Sequence, residues 1–580
     1  MSSDFEKKTP VVSKVEEQTS VYEGSEEETK GNLFSSFIDS FRPVGIVDDD
    51  EDLTPQQRAI AATTKIPLRH SLSNRHLQMI AIGGSIGAGL FVGSGNALVQ
   101  GGPAAILISY CLVGVLMYLT MSALGEMGVR YPVNGVFSAY NTRFLDYSWG
   151  FAVGWTYIIH WTLNLPTEMV AAAVTIDFWK GDDNGATNVN KAAWVALFYS
   201  VIVFVNLFGV RGYGEVEVVM SAIKVIAVVG FIILGIVLVC GGGPNHQYIG
   251  GKYWGDPGAF SHGAKGVFKV FVSAAYAFSG TEFAGLAAAE TKAAHKALPK
   301  ATKQVFWRIL IFYVVSLTLV GLLVPYTEPR LGTAKDGSAS PFVIAIQHAG
   351  ISGLPSVFNT VILLSLLSVG NAAVFGSSRT IVSLAAQGQA PRFFLWIDRK
   401  GRPVLAVGLV FLVGLIGFVV AAPNFSKAFN WLSSLAGLSG LMTWGSINLC
   451  FFRHRMALEH NGIGLDELEY VAPLGKWGGL VGFLFVVFVL IVQFWVSLFP
   501  TKSADAYNFF QAYLSFFIIL ALFVAHKLWT RHWSYVRVKD IDVTTGVRVA
   551  DREQLRAEIA EEKAMIAQKN IFGRLYHFFC

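Results

Sequence analysis

The chain has little charge and little cysteine for its length. Only 15% of its 580 residues are charged, whereas 53% are hydrophobic, and the mean hydropathy is +0.49. Its four cysteines show no metal or redox spacing, so neither a disulfide framework nor a zinc site is expected. The net charge of +5 is small and lies in loops, which is typical of membrane topology rather than of nucleic-acid binding.

Signals for enzymatic chemistry are also scarce. There is no phosphate-binding P-loop, and no nucleophile–base pattern stands out, so neither direct ATP drive nor enzymatic activity is expected, and no cofactor or metal is implied. The stretch 84–89 (GSIGAG) has a superficial likeness to a nucleotide-binding loop, but it follows no strand and lies in an apolar run. Residues 1–30 are acidic and polar without an apolar core, so no cleavable signal peptide is expected.

Long apolar runs dominate instead. A membrane-spanning helix needs about 20 apolar residues, and hydropathy predicts an all-α polytopic membrane protein with twelve transmembrane helices. The predicted spans are residues 78–98, 104–124, 148–176, 192–209, 216–240, 267–289, 306–325, 355–384, 404–421, 428–452, 477–499 and 507–527.

Loop charge sets the predicted orientation. Lys65, Arg69 and Arg75 precede the first span, and the loop after span 6 is the most basic, whereas the loop after span 1 carries no charge. Basic loops face the cytoplasm, so even-numbered spans are predicted to end there and both termini to be cytoplasmic. Twelve spans place both termini on the same side of the membrane, whereas eleven or thirteen would place them on opposite sides.

The composition divides the chain into five regions. Residues 1–77 are predicted to be a mostly disordered cytoplasmic tail, and residues 528–580 a second cytoplasmic tail. Between them lie spans 1–5 (78–240), spans 6–10 (241–452) and spans 11–12 (453–527). A glycosylation sequon begins at Asn424, but its predicted outside loop is very short.

The first span is broken by glycine. Residues 80–93 (IAIGGSIGAGLFVG) place five glycines within eleven positions, and each weakens a helix by roughly 1 kcal/mol relative to alanine. Backbone groups freed inside a membrane need partners. The break therefore predicts a mid-membrane site for a small polar solute, where helix N-termini suit a carboxylate and unwound carbonyls suit a cation.

A second break is predicted in span 6, at residues 278–282 (FSGTE). Two interrupted spans separated by five indicate a five-plus-five inverted repeat, with two extra C-terminal helices and a transport site between the repeats. The alternative for each glycine cluster alone is close helix packing.

Charged groups inside spans are costly and are typically functional. Lys224 lies about eight residues into span 5, where it either exchanges a proton or extends to the interface. Glu282 follows the second break and either contacts the solute or braces the break by hydrogen bonds. Glu126, near the end of span 2, is expected to pair with Arg130 or Arg143.

Span 3 carries a polar stripe. His160, Asn164 and Glu168 are spaced four residues apart and therefore share one helix face. Such a stripe is expected to face the protein interior or a water-filled cavity, where it lines the solute path or exchanges protons.

These motifs together resemble a known family. From about residue 70 to its end, the chain resembles the fungal amino-acid permeases of the amino acid–polyamine–organocation superfamily, and in particular the yeast general amino-acid permeases. The segments that carry the resemblance are residues 83–91 (GGSIGAGLF), 125–127 (GEM), 214–217 (GEVE), 278–282 (FSGTE), 290–291 (ET), 559–564 (IAEEKA) and the terminal Phe579 and Cys580.

The resemblance implies proton-coupled import of L-amino acids across the plasma membrane. By position, the backbone of Ser85, Ile86, Gly87, Ala88 and Gly89 would bind the α-carboxylate of the amino acid. The carbonyls around Ala81 and Ile82, with Phe278 and Ser279, would bind its α-ammonium, and Phe278 would also gate the site.

The resemblance also assigns proton coupling to Lys224, and it likens Glu168 to a glutamate of basic-amino-acid carriers. His160 and Asn164 differ from the corresponding positions of arginine-specific carriers, which argues against strict cationic specificity. Two interpretations besides a broad-range symporter stay open: an amino-acid sensor without significant flux, and a narrow-range basic amino-acid permease.

The tails are expected to carry modifications. By the same resemblance, Lys7, Lys8 and Lys14 would accept ubiquitin from a ligase, with inert solvated lysines as the alternative. The terminal Cys580 would be acylated and hold the tail on the bilayer, with an unmodified end as the alternative.

Overall fold

The structure is a computed structural model that describes residues 54–64, 66, 72–179, 189–291, 294–331, 340–422, 425–500, 503–531, 533–547 and 568. Within these ranges the chain is helical and has no strand beyond two isolated bridges. The α-helices are α1 (Pro55–Thr64), α2 (Asn74–Ser85), α3 (Ser94–Gly101), α4 (Pro103–Arg130), α5 (Val136–Phe144), α6 (Tyr147–Thr175), α7 (Lys191–Leu207), α8 (Gly209–Val239), α9 (Gly263–Phe278), α10 (Phe283–Ala288), α11 (Ala294–Arg308), α12 (Ser316–Leu323), α13 (Pro341–His348), α14 (Leu354–Ala386), α15 (Val404–Gly414), α16 (Phe425–His460), α17 (Gly475–Leu498) and α18 (Ala506–Thr530).

Wider and tighter helical turns join some of these helices. The wider, π-type segments are Gly89–Gly93, Trp254–Gly258 and Ile309–Val315, and the 3₁₀ segments are Ile176–Trp179, Arg392–Leu395, Leu415–Ala421, Leu465–Glu467 and Val538–Asp540. A π-turn inside a membrane helix rearranges backbone hydrogen bonds locally, and two of these turns lie beside the candidate site described below.

Ten stretches of the described chain are long and apolar enough to cross a membrane, which makes this a multi-pass membrane protein. They are Asn74–Gly101, Pro103–Arg130, Gly209–Val239, Gly263–Ala288, His295–Leu323, Leu354–Ala386, Val404–Ala421, Ser434–His460, Gly475–Leu498 and Ala506–Thr530. The two remaining predicted spans coincide with α6 and α7. Helix α7 is apolar but has only 17 residues, and α6 has 29 residues but contains the polar stripe.

Burial separates inner helices from outer ones. Helices α9, α14 and α16 are largely enclosed by the rest of the protein, whereas α17 and α18 turn large apolar side chains outward. The outward residues of these two helices include Val481, Leu484, Ile491, Phe510 and Leu520. Lipid replaces water around such helices, so an exposed apolar face is the expected surface of the outer ring.

Both ends of the described chain meet at α5. The side chain of Gln56 on α1 donates a hydrogen bond to the Thr142 carbonyl, at 3.0 Å. On the C-terminal side, the Arg143 guanidinium donates to the Thr545 carbonyl at 2.9 Å, and the Val536 amide donates to the Leu145 carbonyl at 3.0 Å. The N-terminal helix α1 and the C-terminal segment therefore pack at the same short helix.

Part of the N-terminal region is helical: α1 has ten residues, and Ala59 and Ile60 within it are buried. One sequence-based expectation needs correction. Glu126 pairs with neither Arg130 nor Arg143. Its carboxylate instead accepts hydrogen bonds from Arg455 on α16, at 2.5 Å, and from the backbone amide of Ala472, at 2.8 Å, because α4 and α16 pack together there.

Candidate functional site

The two predicted helix breaks lie against each other. Helix α2 ends at Ser85 and helical structure resumes at Gly89, while α9 ends at Phe278 and α10 begins at Phe283. Gly280 has φ +95, and a Cβ atom built there would lie 2.3 Å from the carbonyl oxygen of Gly84. The breaks therefore pack backbone against backbone, at a separation that only glycine allows.

Backbone carbonyls of the first break are already engaged. The Ser85 hydroxyl lies 2.9 Å from the Ile82 carbonyl and 3.2 Å from the Ala81 carbonyl, and the Ile86 amide donates to Ile82 at 3.1 Å. Ile86 itself is extended, with φ −90 and ψ 94. A carbonyl oxygen has two lone pairs, so the Ser85 hydroxyl and the Ile86 amide together occupy the acceptor capacity of Ile82, and an incoming donor would have to replace the Ser85 hydroxyl there.

Tyr313 links the two breaks, and sequence reasoning missed it. It lies in the π-type segment Ile309–Val315, fully buried, with its hydroxyl 2.7 Å from the Ser85 carbonyl and 2.8 Å from the Ala277 carbonyl. The available signal was a lone hydroxyl-bearing aromatic residue within the apolar run of span 7. Its ring is tilted by 41° against the Phe278 ring, with the centroids 4.3 Å apart, and the Phe278 centroid lies 5.9 Å from that of Tyr110.

The second break is braced by its own side chains. The Glu282 carboxylate accepts a hydrogen bond from the Gly280 amide at 2.9 Å, which is the bracing role that the sequence left open beside substrate contact. The Ser279 hydroxyl lies 3.4 Å from Nε2 of His160 on α6, and Nδ1 of His160 lies 2.7 Å from the Ser439 hydroxyl on α16. The break is thus tied to two neighbouring helices.

The polar stripe of α6 faces the protein interior, as predicted. His160, Asn164 and Glu168 are all buried. The Tyr276 hydroxyl on α9 lies 3.3 Å from Oδ1 of Asn164 and 3.2 Å from Oε1 of Glu168. The other carboxylate oxygen of Glu168 is buried and has no hydrogen-bond partner among the described residues.

Lys224 on α8 donates a hydrogen bond to the backbone of α2 next to the first break. It is fully buried and therefore does not extend to the membrane interface. Its ammonium donates to the Gly83 carbonyl at 2.6 Å and to the Ser368 hydroxyl on α14 at 2.8 Å. Gly83 lies in the last turn of α2, two residues before the break.

Glu217 lies beside Lys224 and Ser368 and forms a buried polar cluster with them, called the Lys224 cluster below. Sequence reasoning also missed it as a site residue. It is fully buried, and its Oε1 accepts a hydrogen bond from Ser368 at 2.5 Å. The missed signal is spacing, because Glu217, Ser221 and Lys224 are four and seven residues apart and share one face of α8. The Ser221 hydroxyl donates to the Met79 carbonyl of α2 at 2.8 Å.

Some predicted positions lie elsewhere. Lys7, Lys8, Lys14, Asn424 and Cys580 are outside the described residues. The described ranges contain no group of three or more His, Cys, Asp or Glu residues that could hold a metal ion.

Comparison with known proteins gives the same family throughout the chain. The family model described as "Amino acid permease" matches residues 76–536. The general amino-acid permease GAP2 of Candida albicans is 51% identical over 557 residues, which cover 94% of this chain and 93% of the relative.

Two relatives from Saccharomyces cerevisiae are similar over nearly the same length. The general amino-acid permease GAP1 is 48% identical, covering 96% of this chain and 93% of the relative. The tryptophan permease is 45% identical, covering 95% of this chain and 91% of the relative. Both helix breaks and the Lys224 cluster fall inside the matched region.

Proposed function

Because the chain belongs to the amino acid permease family, a family of amino-acid transporters rather than enzymes, we propose that it is a proton-coupled symporter that imports a broad range of L-amino acids across the plasma membrane. The observation that carries the proposal is the contact between the two helix breaks, with a buried lysine on the first of them. The contact brings backbone donors and acceptors close to the buried Lys224 ammonium, which is the arrangement expected of a mid-membrane transport site.

The substrate's polar groups would bind at the breaks. The amides of Ser85–Gly89 precede the N-terminal end of a helical segment, where a carboxylate is stabilised. The carbonyls of Ala81 and Ile82, with Phe278 and Ser279, would receive the ammonium group. Phe278 packs on Tyr313 beside this space, which suits it as the gate.

Substrate side chains would extend towards α6. Asn164 and Glu168 share the Tyr276 hydroxyl there, and Glu282 lies behind the second break, where its bond to Gly280 holds the shape of the site. A hydrophobic pocket discriminates by only about 1–3 kcal/mol per methylene, which is compatible with a broad range of side chains.

Lys224 and Glu168 would couple the proton to the amino acid. Both are buried in the described structure and interact electrostatically with each other, yet no direct ion pair between them lies within 4.0 Å. A group that changes charge between the two faces of the membrane is what symport requires, and Lys224 contacts the helix break itself.

We further propose twelve spans, arranged as five plus five inverted repeats and two extra helices. With 29 residues, α6 is about 44 Å long at 1.5 Å per residue, more than the roughly 30 Å of membrane hydrocarbon. Both chain ends contact α5, which supports an even number of spans between them. The basic loops support cytoplasmic termini, where Lys7, Lys8 and Lys14 would be within reach of a ubiquitin ligase and Cys580 would be open to acylation.

The two relatives named general amino-acid permeases support a broad substrate range. Another relative is named for one amino acid, tryptophan. Neither the sensor nor the basic amino-acid permease is favoured.

The test is uptake of a labelled amino-acid panel into cells that lack their own permeases, at acidic and at neutral external pH, with and without a protonophore. We expect broad uptake that is faster at acidic pH and is abolished by the protonophore. Binding without accumulation would replace the transporter with a sensor. Uptake restricted to lysine and arginine would overturn the broad range, and insensitivity to the protonophore would overturn proton coupling.

A further inference from the structure

A buried carboxylate next to Lys224 has no ion-pair partner. Glu217 is fully buried on α8, and in the described chain neither Lys nor Arg nitrogen lies within 4.0 Å of it. One of its oxygens accepts from Ser368, and the other has no hydrogen-bond partner among the described residues. Removing a lone carboxylate from water costs several kcal/mol, so a proton on Glu217 is the least costly way to accommodate it.

The site has been shaped around this carboxylate. A Cβ atom built on Gly83 would lie 1.7 Å from Oε1 of Glu217 and 2.3 Å from the Ser221 hydroxyl. Gly83 is the residue whose carbonyl binds Lys224. The same glycine thus accepts the lysine's hydrogen bond and makes room for the glutamate.

Ser368 joins the two groups by a continuous hydrogen-bond path. The Lys224 ammonium donates to Oγ of Ser368 at 2.8 Å, and that hydroxyl donates to Oε1 of Glu217 at 2.5 Å. All three side chains are fully buried. A hydroxyl that both accepts and donates is able to pass a proton along such a path.

Few other titratable groups face this pair. Lys224 is the charged group that interacts with Glu217, and Glu168 on α6 is the further charged group that interacts with Lys224. Tyr213, one turn before Glu217 on α8, interacts electrostatically with Glu217 and with Arg379 of α14.

Resting on the proton symport proposed above, we propose that Glu217 is the second proton-exchange group of the transporter, and that Ser368 relays the proton between it and Lys224. An N–H bond of the ammonium breaks, Ser368 takes up that proton and passes its own to Oε1 of Glu217. The Lys224 ammonium and the Glu217 carboxylate, which touch only through Ser368, thereby become a neutral amine and a neutral carboxyl group, and no other reactant is needed.

This transfer reaches the substrate site through Gly83. A hydrogen bond from an ammonium is roughly twice as strong as one from a neutral donor. When Lys224 becomes neutral, its hold on the Gly83 carbonyl weakens, and the last turn of α2 beside the substrate is released. The proton then leaves from Glu217 when the repeats open this cluster to water.

The test compares Glu217→Gln, which keeps the side-chain shape but cannot release a proton, with the control Glu215→Gln. Glu215 is a half-exposed carboxylate on the same helix that pairs with Arg75 and His76. In whole cells, we measure amino-acid uptake against external pH, proton influx during uptake, and exchange of internal for external amino acid. Glu217→Gln should lower proton-driven uptake at acidic pH on the order of tenfold or more, flatten the pH profile, and reduce exchange much less. The control should keep the wild-type profile.

Ser368→Ala and Ser368→Thr keep the proposal testable if Glu217→Gln fails to reach the membrane. Loss of pH dependence in Ser368→Ala and its recovery in Ser368→Thr support the relay, because only threonine restores a hydroxyl. An unchanged pH profile and proton influx in Glu217→Gln, or in Ser368→Ala, would overturn it. Wild-type uptake without any proton influx would instead overturn the symport on which it rests.

Discussion

At the residue scale, the site depends on glycines that admit another backbone. Gly280 adopts a left-handed conformation and touches Gly84 of the other break, and Gly89 packs on the backbone of Ala277, where a Cβ atom would lie 2.4 Å from Cα. These are places where no neighbouring side chain can move aside, because the obstructing atoms are main-chain atoms. The glycine clusters interrupt the helices, and the same glycines, which lack a Cβ atom, allow the two interrupted backbones to pack in contact.

We therefore expect Gly280→Ala to separate the two breaks. The left-handed conformation costs alanine about 1–2 kcal/mol, and the overlap with the Gly84 carbonyl adds a further cost of about 1–3 kcal/mol. The purified variant should melt at a lower temperature and lose amino-acid uptake. Gly230→Ala is the matched control, since no atom lies within 4 Å of its built Cβ on α8. Uptake and melting of Gly280→Ala equal to those of this control would contradict the packing described here.

At the element scale, the C-terminal segment 533–547 is a docked part of the fold. Val536, Ile541 and Val543 are buried, and a turn at Asp542 places the chain against α5. The Asp542 carboxylate accepts hydrogen bonds from the Thr544 and Thr545 amides, both at 2.9 Å. Burial alone raises the pKa of Asp542, but these hydrogen bonds and the charge of Arg143 outweigh it, so the pKa is lowered.

Docking of this segment should accordingly weaken in acid. A carboxyl group with a lowered pKa in the docked state stabilises that state above its ordinary pKa of about 3.9, and the stabilisation is lost as pH falls through the lowered value. At neutral pH, Asp542→Asn should reduce hydrogen-exchange protection of residues 533–547 about fivefold, equivalent to about 1 kcal/mol. The exposed neighbour Asp540→Asn is the control. Equal protection in both variants would show that the turn does not hold the segment.

At the scale of the whole molecule, one buried ion pair connects both broken spans to α14. Glu290, just after α10, pairs with Arg379 of α14 at 2.9 Å, and the Glu290 carbonyl accepts the Leu72 amide, just before α2, at 3.1 Å. Leu72 precedes the first span, so this latch lies on the face where both chain ends lie. In the proposed transporter, opening that face to release substrate would separate this Glu290–Arg379 latch.

Removing one partner of the latch should cost more than removing both. Arg379→Gln leaves the Glu290 charge buried and unpaired, which costs about 3–5 kcal/mol. Adding Glu290→Gln to Arg379→Gln should recover much of that loss, since no unpaired charge remains. Thermal unfolding of the single and double variants in detergent measures this cycle, with the exposed pair Lys476–Glu459 as the control. Additive losses would exclude a coupled pair.

Sequence alone determined the elements of this protein. Apolar runs predicted helices that agree with the described ones to within a few residues in most spans, and the span 7 helix extends further towards its basic loop, because its first turns are amphipathic. The glycine clusters located both breaks, since glycine lowers helix stability wherever it occurs. Spacing on one helix, which places His160, Asn164 and Glu168 on one face, also needed no knowledge of other helices.

Only the tertiary structure decided which elements meet. Glu126 is paired with Arg455, 329 positions away in the chain, and Ser368 stands between Glu217 and Lys224 although it comes from α14. Tyr313 joins two breaks that belong to other spans. Such contacts arise from how helices pack within the membrane, and packing depends on the shapes of all the neighbours at once, whereas periodicity and hydropathy are properties of each segment by itself.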